Sequence, residues 1–146
     1  MKRKPKKLTK KSTKKLTKKL TKKKTLKKLT VKANRLLQDY MREKHKGEVC
    51  ELCGEPFTVS HHFIPKSKSI ALRYDEKNLI LLCKRCHFCI HRTTHKYTQG
   101  ALIGHLRGLK WIDYINTHNV KSKPLTIKDL EKIVDKYTKL INKFKK

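Results

Sequence analysis

The sequence predicts an α+β fold in which a small cysteine-clamped module is flanked by α-helices and preceded by a lysine-rich tail. Three observations support this prediction. Two Cys-x-x-Cys pairs bracket a short segment that contains two runs of β-strand character. Apolar residues recur at helical spacing on both sides of that segment. The 146 residues carry a net charge of +29, and no acidic residue precedes Asp39.

The predicted tail comprises residues 1–30, which contain sixteen Lys or Arg residues and repeat a degenerate Lys-Lys-Leu-Thr unit. A four-residue period rotates by about 40° per repeat around a 3.6-residue helix, so the leucines cannot keep to one face. Threonine and adjacent lysines also disfavour a helix. We therefore expect a disordered segment, which is either a salt-sensitive phosphate tether or a low-complexity tail without a specific partner.

A helix is predicted over residues 31–47. Its apolar residues recur every three or four positions, and Gly47 is a suitable end; the stripe consists of Ala33, Leu36, Leu37, Tyr40 and Met41. We expect this stripe to pack in the core and to have no chemistry of its own.

The central module is predicted over residues 48–96, and four cysteines define it. They form two pairs, Cys50 with Cys53 and Cys83 with Cys86. The N-terminus has no secretory signal pattern, which favours a reducing compartment and therefore metal over the alternative of disulfides. Two such pairs complete a tetrahedral shell, so the spacing predicts a structural Zn²⁺.

Two strands and a helix are predicted between and after these pairs. Residues 58–64 alternate and are rich in β-forming residues, and Pro65 ends that strand. Successive strand residues point to opposite faces, so His61 and His62 should diverge. Residues 78–82 form a second short apolar strand. A helix follows from Cys83 and places His87 and His91 on one face, since they are four residues apart.

The C-terminal region, residues 97–146, is predicted to be helical. One helix should cover residues 98–116, where Gly100, Gly104 and Gly108 permit close approach of either another helix or a phosphate backbone. A second should follow a capping box formed by Thr126 and Asp129. Its apolar seam is shorter than three heptads, which favours packing within the chain and predicts a monomer or a weak dimer.

The histidines and one asparagine resemble the signature of the HNH (His-Asn-His, ββα-metal) endonucleases. The matching positions are His61-His62, then Asn78 after fifteen intervening residues, His87 after eight more and His91 after three more. The two Cys-x-x-Cys pairs are similar to those of the zinc-clamped members found in phages and bacteria. Many members have Asp-His where this chain has His61-His62. The resemblance implies a ββα-metal module.

The resemblance also implies roles for these residues. His62 would be the general base that activates water, and Asn78 would hold the loop that orients it. A second divalent ion, Mg²⁺, Mn²⁺, Ni²⁺ or Zn²⁺, would be bound by His61, His87 and His91. We expect phosphate contacts from Lys66, Arg73 and Arg85.

The expected function is therefore hydrolysis of phosphodiester bonds in DNA, as a nick or a double-strand cut, with RNA as an alternative substrate. The positive charge suits a polyanion, and no apolar run is long enough to span a bilayer, so no membrane partner is expected. The rival interpretation is a zinc-containing module that binds nucleic acid without cutting it. The expected location is the cytoplasm, either at the nucleoid or in the host cell if the protein is phage-encoded.

Overall fold

The computed structural model describes residues 10–92 and 96–145. Within these residues, five α-helices surround a two-stranded antiparallel sheet, which confirms the predicted mixture of helix and strand. The helices are α1 (Lys10–Lys44), α2 (Lys84–Ile90), α3 (Lys96–Arg107), α4 (Leu109–His118) and α5 (Ile127–Lys143), and the strands are β1 (Val59–His62) and β2 (Leu79–Leu82). None of the described helices has the length and apolar character needed to cross a membrane.

The sheet is the middle layer between two apolar cores. β1 and β2 pair so that His61 lies opposite Ile80 and His62 opposite Leu79. Because side chains alternate between faces, the fully buried β2 contributes to both cores. One core joins the sheet to α1 and α5 through Leu37, Tyr40, Leu79, Leu81, Tyr137 and Ile141. The other joins it to α2 and α3 through Ile80, Leu82, Cys86, Ile90 and Ile103.

Side chains close both outer edges of this small sheet. On β1, the Gln38 amide donates to the carbonyl of Ser60 at 3.0 Å and accepts from its N–H at 3.3 Å. On β2, the Glu51 carboxylate accepts from the N–H of Leu81 at 2.7 Å, and the Glu51 N–H donates to the Leu81 carbonyl at 2.9 Å. Arg107 holds Glu51 in place through an Nε–Oε2 bond of 2.7 Å. The central backbone groups of both strands are thus paired on their outer side.

The first helix is longer than the sequence predicts. The helix expected over residues 31–47 ends at Lys44, followed by a turn in which Gly47 has a φ of +87°. Residues 10–30, expected to be disordered, continue the same helix, whereas residues 1–9 of the predicted tail lie outside the described residues.

Two physical effects account for the extension of α1. Adding a residue to an existing helix avoids the costly nucleation step, and Lys and Leu are both good helix formers. The first residues of α5 also lie against this part of α1, where Leu26 is half-buried and shares a small groove with Leu125 and Ile127. The helix propensity of the lysines and leucines, together with the contact to α5, outweighs the low helix propensity of the threonines.

The single helix predicted over residues 98–116 is instead two helices, α3 and α4. Gly108 lies between them with a φ of +80°, a backbone conformation that glycine adopts without strain. A Cβ at Gly104 would lie 3.4 Å from Ile112 Cδ1, so the glycine lets α4 fold back closely onto α3. Close helix packing is thereby confirmed at Gly104, but Gly108 ends a helix rather than packing within one.

The last helix follows the sequence prediction. Thr126 and Asp129 form the capping box, with reciprocal side-chain bonds to each other's backbone N–H. Leu130, Tyr137 and Ile141 are buried, and α5 packs along α1. The apolar seam is therefore used within the chain.

Candidate metal centres

The first cysteine pair lies in a tight turn just after α1. Cys50 donates its N–H to the carbonyl of Glu55 at 2.7 Å, and Gly54 donates to the carbonyl of Cys50 at 2.9 Å. Gly54 has a φ of +75°, which a residue with a Cβ rarely adopts. Cys50 is buried, whereas Cys53 is exposed.

The second pair lies at the start of α2. Cys83 is the N-cap of that helix, and its Sγ accepts from the N–H of Cys86 at 3.4 Å. The ligand atoms of all four cysteines lie within 4.8 Å of one another, and Cys53 Sγ is 3.7 Å from Cys83 Sγ. A tetrahedral zinc site with Zn–S bonds of about 2.3 Å has sulfur–sulfur edges of about 3.8 Å. The spacing of the four sulfurs is therefore compatible with one tetrahedral zinc ion.

The surroundings shift the pKa values of the clustered thiols in opposite directions. The backbone N–H of Glu55 and the neighbouring thiols lower the pKa of Cys53 to about 7. Burial raises the pKa of Cys86. Arg85 interacts with Cys53 and lies near Cys83 and Cys86, which raises its own pKa. The structure therefore places Arg85 at the cysteine cluster, whereas the sequence suggested a phosphate contact.

Three histidines form a second cluster. His61 comes from β1, His87 from α2, and His91 caps the end of that helix. Their ligand nitrogens all lie within 4.8 Å of one another, and the Nε2 atoms of His87 and His91 are 3.3 Å apart. Ligands at about 2.1 Å from a metal lie about 3.0 to 3.4 Å apart in octahedral or tetrahedral geometry. The cluster could therefore hold a metal ion.

Two of the three histidines, His61 and His87, favour their neutral form. Burial, followed by the nearby His87 and His91, lowers the pKa of His61 to about 4. Burial, followed by His91 and Lys66, lowers the pKa of His87. Neutral imidazole is the form that binds metal, so at neutral pH His61 and His87 have no proton to lose before an ion binds.

His62 is buried and is not one of the three clustered ligands, although it is the next residue along β1 from His61. Its Nε2 is 2.8 Å from the carbonyl of Arg73. A carbonyl only accepts, so Nε2 carries the proton and Nδ1 keeps its lone pair. Burial lowers the pKa of His62, while the bond to Arg73 opposes that shift and the charges of Lys66 and Arg73 add to it. The ring is therefore a fixed, neutral proton acceptor at pH 7.

Asn78 is fully buried and fixes the loop that orients His62. Its Oδ1 accepts from the N–H of Ile64 at 2.7 Å, and its Nδ2 donates to the carbonyls of Ile64 and Leu72 at 3.0 Å each. Ile64 is two residues after His62, and Leu72 directly precedes Arg73. Asn78 thus bonds the backbone next to both partners of the hydrogen bond between His62 and Arg73.

Replacement of Asn78 by Ala should lower the free energy of unfolding by about 3 kcal/mol, because three hydrogen bonds are lost, among them the one that the part-buried Ile64 N–H donates. Guanidinium denaturation of the zinc-loaded protein measures this change. Asn142→Ala, at an exposed position on α5, is the control and should change stability little. Equal stability of the two variants would contradict the role given to Asn78.

All four histidines line one cleft of about 930 Å³ between α1 and α2. Lys66 lies on its rim, and its charge reaches His61, His62 and His87. The wall opposite α2 is the part of α1 that carries Asn34, Gln38 and Arg42. The sequence did not suggest these wall residues, although their spacing of four indicates a shared helix face. A larger groove of about 1270 Å³ is lined by none of the clustered cysteines and histidines.

The family model described as "Bacteriophage Lambda NinG protein" matches residues 1–146, which is the whole chain. No curated protein matches and no solved structure matches.

Proposed function

This chain belongs to the bacteriophage lambda NinG family. We propose that it is an HNH-type, metal-dependent endonuclease that hydrolyses phosphodiester bonds in DNA. The family description names no reaction, so the proposal rests on the site. One observation carries it: a buried histidine with a fixed tautomer, His62, shares one open cleft with three clustered histidines whose ligand nitrogens lie within 4.8 Å of one another.

Hydrolysis of a phosphodiester requires a base for water, positive charge near the phosphate, and help for the departing oxygen. In our proposal His62 accepts the proton of the attacking water at Nδ1, while its Nε2–H bond to Arg73 holds the ring in position. A divalent ion held by His61, His87 and His91 would supply Lewis acidity at the phosphate and the leaving oxygen. Lys66 and Arg73 would balance the phosphate charge.

The local order of elements supports this proposal. Two antiparallel strands followed by a helix present these side chains, as a ββα-metal module requires. Two of the clustered cysteines lie in the turn after α1 and two at the start of α2, so a zinc ion bound by all four would connect that turn to α2. The zinc would be structural, because four thiolates leave no open position for substrate.

The net charge of +29 supports a polyanionic substrate. We propose DNA, with RNA as an alternative that the same charges could bind. Membership of a phage family suggests action in the cytoplasm of the host cell. A binding module that does not cut is the competing proposal, since charge serves both equally.

Relaxation of supercoiled plasmid tests the proposal. The wild-type protein should nick plasmid with Mn²⁺, Ni²⁺ or Mg²⁺ and stop when a chelator is added. His61→Ala, purified in parallel, should be inactive, whereas His105→Ala, exposed on α3 outside the cluster, should remain active. Wild-type protein that cuts with none of these metals would favour the binding module, and equal cutting by His61→Ala would point to a contaminant.

A further inference from the structure

Resting on the proposed nuclease function, we propose that α1 holds one arm of duplex DNA rigidly on one side of the cleavage site. The contact surface would run along α1 from Lys10 to the cleft, and the part nearest the cleft, which we define as the basic flank, is Lys24, Lys27, Lys28 and Arg35. All four side chains are exposed.

The basic flank is continuous with the wall of the histidine cleft. Residues three or four apart share a helix face, and steps of this size connect Lys24, Lys28, Val31, Arg35, Gln38 and Arg42. Gln38 and Arg42 line the cleft together with Asn34. The opposite flank of α1 carries Ala33 and Leu37, which are buried in the core. A duplex whose phosphate lies in the cleft would therefore meet the basic flank directly.

The charge of this flank is largely unopposed. Among the described residues, no carboxylate lies within 4 Å of the lysines of α1 from Lys19 to Lys32. The first acid on α1, Asp39, forms a contact with Arg35 and one with Arg42 beside the cleft. In α5, by contrast, lysines alternate with Asp129, Glu131 and Asp135. The attraction for a polyanion is thus strongest along α1.

The geometry limits this surface to one arm of the DNA. α1 is one helix over 35 residues, and at 1.5 Å per residue the part from Lys10 to Asn34 extends about 36 Å from the cleft. That length corresponds to about ten base pairs at 3.4 Å each. Because the chemistry fixes how the cut strand lies in the cleft, α1 would always follow the arm on the same side, either 5′ or 3′ of the cut. A disordered tether would instead reach both arms.

Mapping of cut positions on a linear duplex tests the direction of this contact. Each strand of a 40-base-pair duplex is end-labelled and digested briefly. On each strand, cutting should be suppressed within about ten nucleotides of one end. That end should be the 5′ end on both strands or the 3′ end on both strands. Cutting should continue much closer to the other end. Equal suppression at both ends would overturn the proposal.

A helix-breaking substitution tests the rigidity of α1 without changing charge. Thr25 is exposed, and its hydroxyl bonds the carbonyl of Thr21 one turn earlier. Thr25→Pro should shorten the suppressed zone from about ten nucleotides to about four, because only the helix between the substituted position and the cleft keeps its direction. Thr25→Ala loses the same hydroxyl but keeps the helix and should match the wild type. An unchanged zone in Thr25→Pro would also overturn the proposal.

Binding measurements separate this inference from the nuclease proposal. The variant Lys24→Gln/Lys27→Gln/Lys28→Gln should reduce the slope of log affinity against log salt by up to about 2.7, as expected for three lost phosphate contacts. Its control, Lys121→Gln/Lys123→Gln/Lys132→Gln, removes equal charge from exposed positions that do not line the cleft, and should change the slope much less. If the wild type cuts DNA but the two triple variants have equal salt slopes, the role given to the basic flank is refuted and the nuclease proposal stands. A flank-specific loss of slope in a protein that never cuts would refute the nuclease proposal alone.

Discussion

Cys83→Ser is expected to abolish cooperative unfolding of the central module. Cys83 lies where β2 meets α2, its Sγ caps that helix, and it is 3.7 Å from Cys53 Sγ. If a zinc ion is bound there, loss of one thiolate removes much of a binding free energy that is about 10 to 16 kcal/mol in zinc-finger peptides. That exceeds the whole stability of most small domains, about 5 to 15 kcal/mol.

Native mass spectrometry and thermal melting followed by circular dichroism measure this effect. The wild type should carry one tightly held zinc per chain and melt in one transition, whereas Cys83→Ser should show neither. Cys89→Ser is the matched control, because Cys89 is half-buried on the same helix but outside the four-cysteine cluster. Retention of zinc and of a cooperative melt in Cys83→Ser would exclude a zinc clamp.

His62→Ala and His87→Ala are expected to abolish cleavage in different ways. A general base acts only in the chemical step, so His62→Ala should cut about 10² to 10⁴ times more slowly while still binding DNA and metal. His87 faces His61 and His91, so His87→Ala should lose the catalytic metal as well. Plasmid relaxation gives the rate, and calorimetric titration of the zinc-loaded protein with Ni²⁺ or Mn²⁺ gives the metal affinity.

A second substitution at position 62 distinguishes a lost base from lost packing. His62→Gln keeps an amide that can donate to the Arg73 carbonyl, and should fold normally yet remain as inactive as His62→Ala. Wild-type rates in either variant would remove His62 from the proposed chemistry. Unchanged metal affinity in His87→Ala would remove the three-histidine site.

The same cluster should discriminate among metals. Three imidazoles favour Ni²⁺ and Zn²⁺ over Mg²⁺, which prefers oxygen ligands. Tight binding does not ensure turnover, so excess Zn²⁺ should inhibit cutting that Mn²⁺ or Ni²⁺ supports.

Much of the site could be predicted because its chemistry depends on short spacings. His87 and His91 are one helical turn apart, and His61 and His62 alternate across a strand, so their relative directions follow from local geometry. The same is true of the capping box at Thr126, whose partner Asp129 is three residues away. Asn78 was predicted to hold the loop that orients His62; its side chain bonds Ile64 and Leu72, and its role in the chemistry stays a prediction.

The missed features depend on contacts between residues far apart in sequence. Nothing near Gln38 indicates that it pairs with Ser60, 22 positions later, or that Arg107 reaches back to Glu51. The helix break at Gly108, between α3 and α4, could not be predicted because glycine occurs both within helices and at a positive φ. The extension of α1 depends partly on the first turn of α5, which lies about a hundred residues further along the chain.

The closed edges of the sheet also bear on how far the central module can be separated from the rest of the protein. Gln38 belongs to α1, and the arginine that positions Glu51 belongs to α3, so a fragment of residues 48–96 would lose both. On β1, Ser60 would then present a bare N–H and C=O, and on β2 the Glu51 carboxylate that accepts from Leu81 would lose its anchor. Bare strand groups pair readily with another chain. The excised module should therefore aggregate even when loaded with zinc. Transplanting it into another protein would require α1 and α3 to be moved with it.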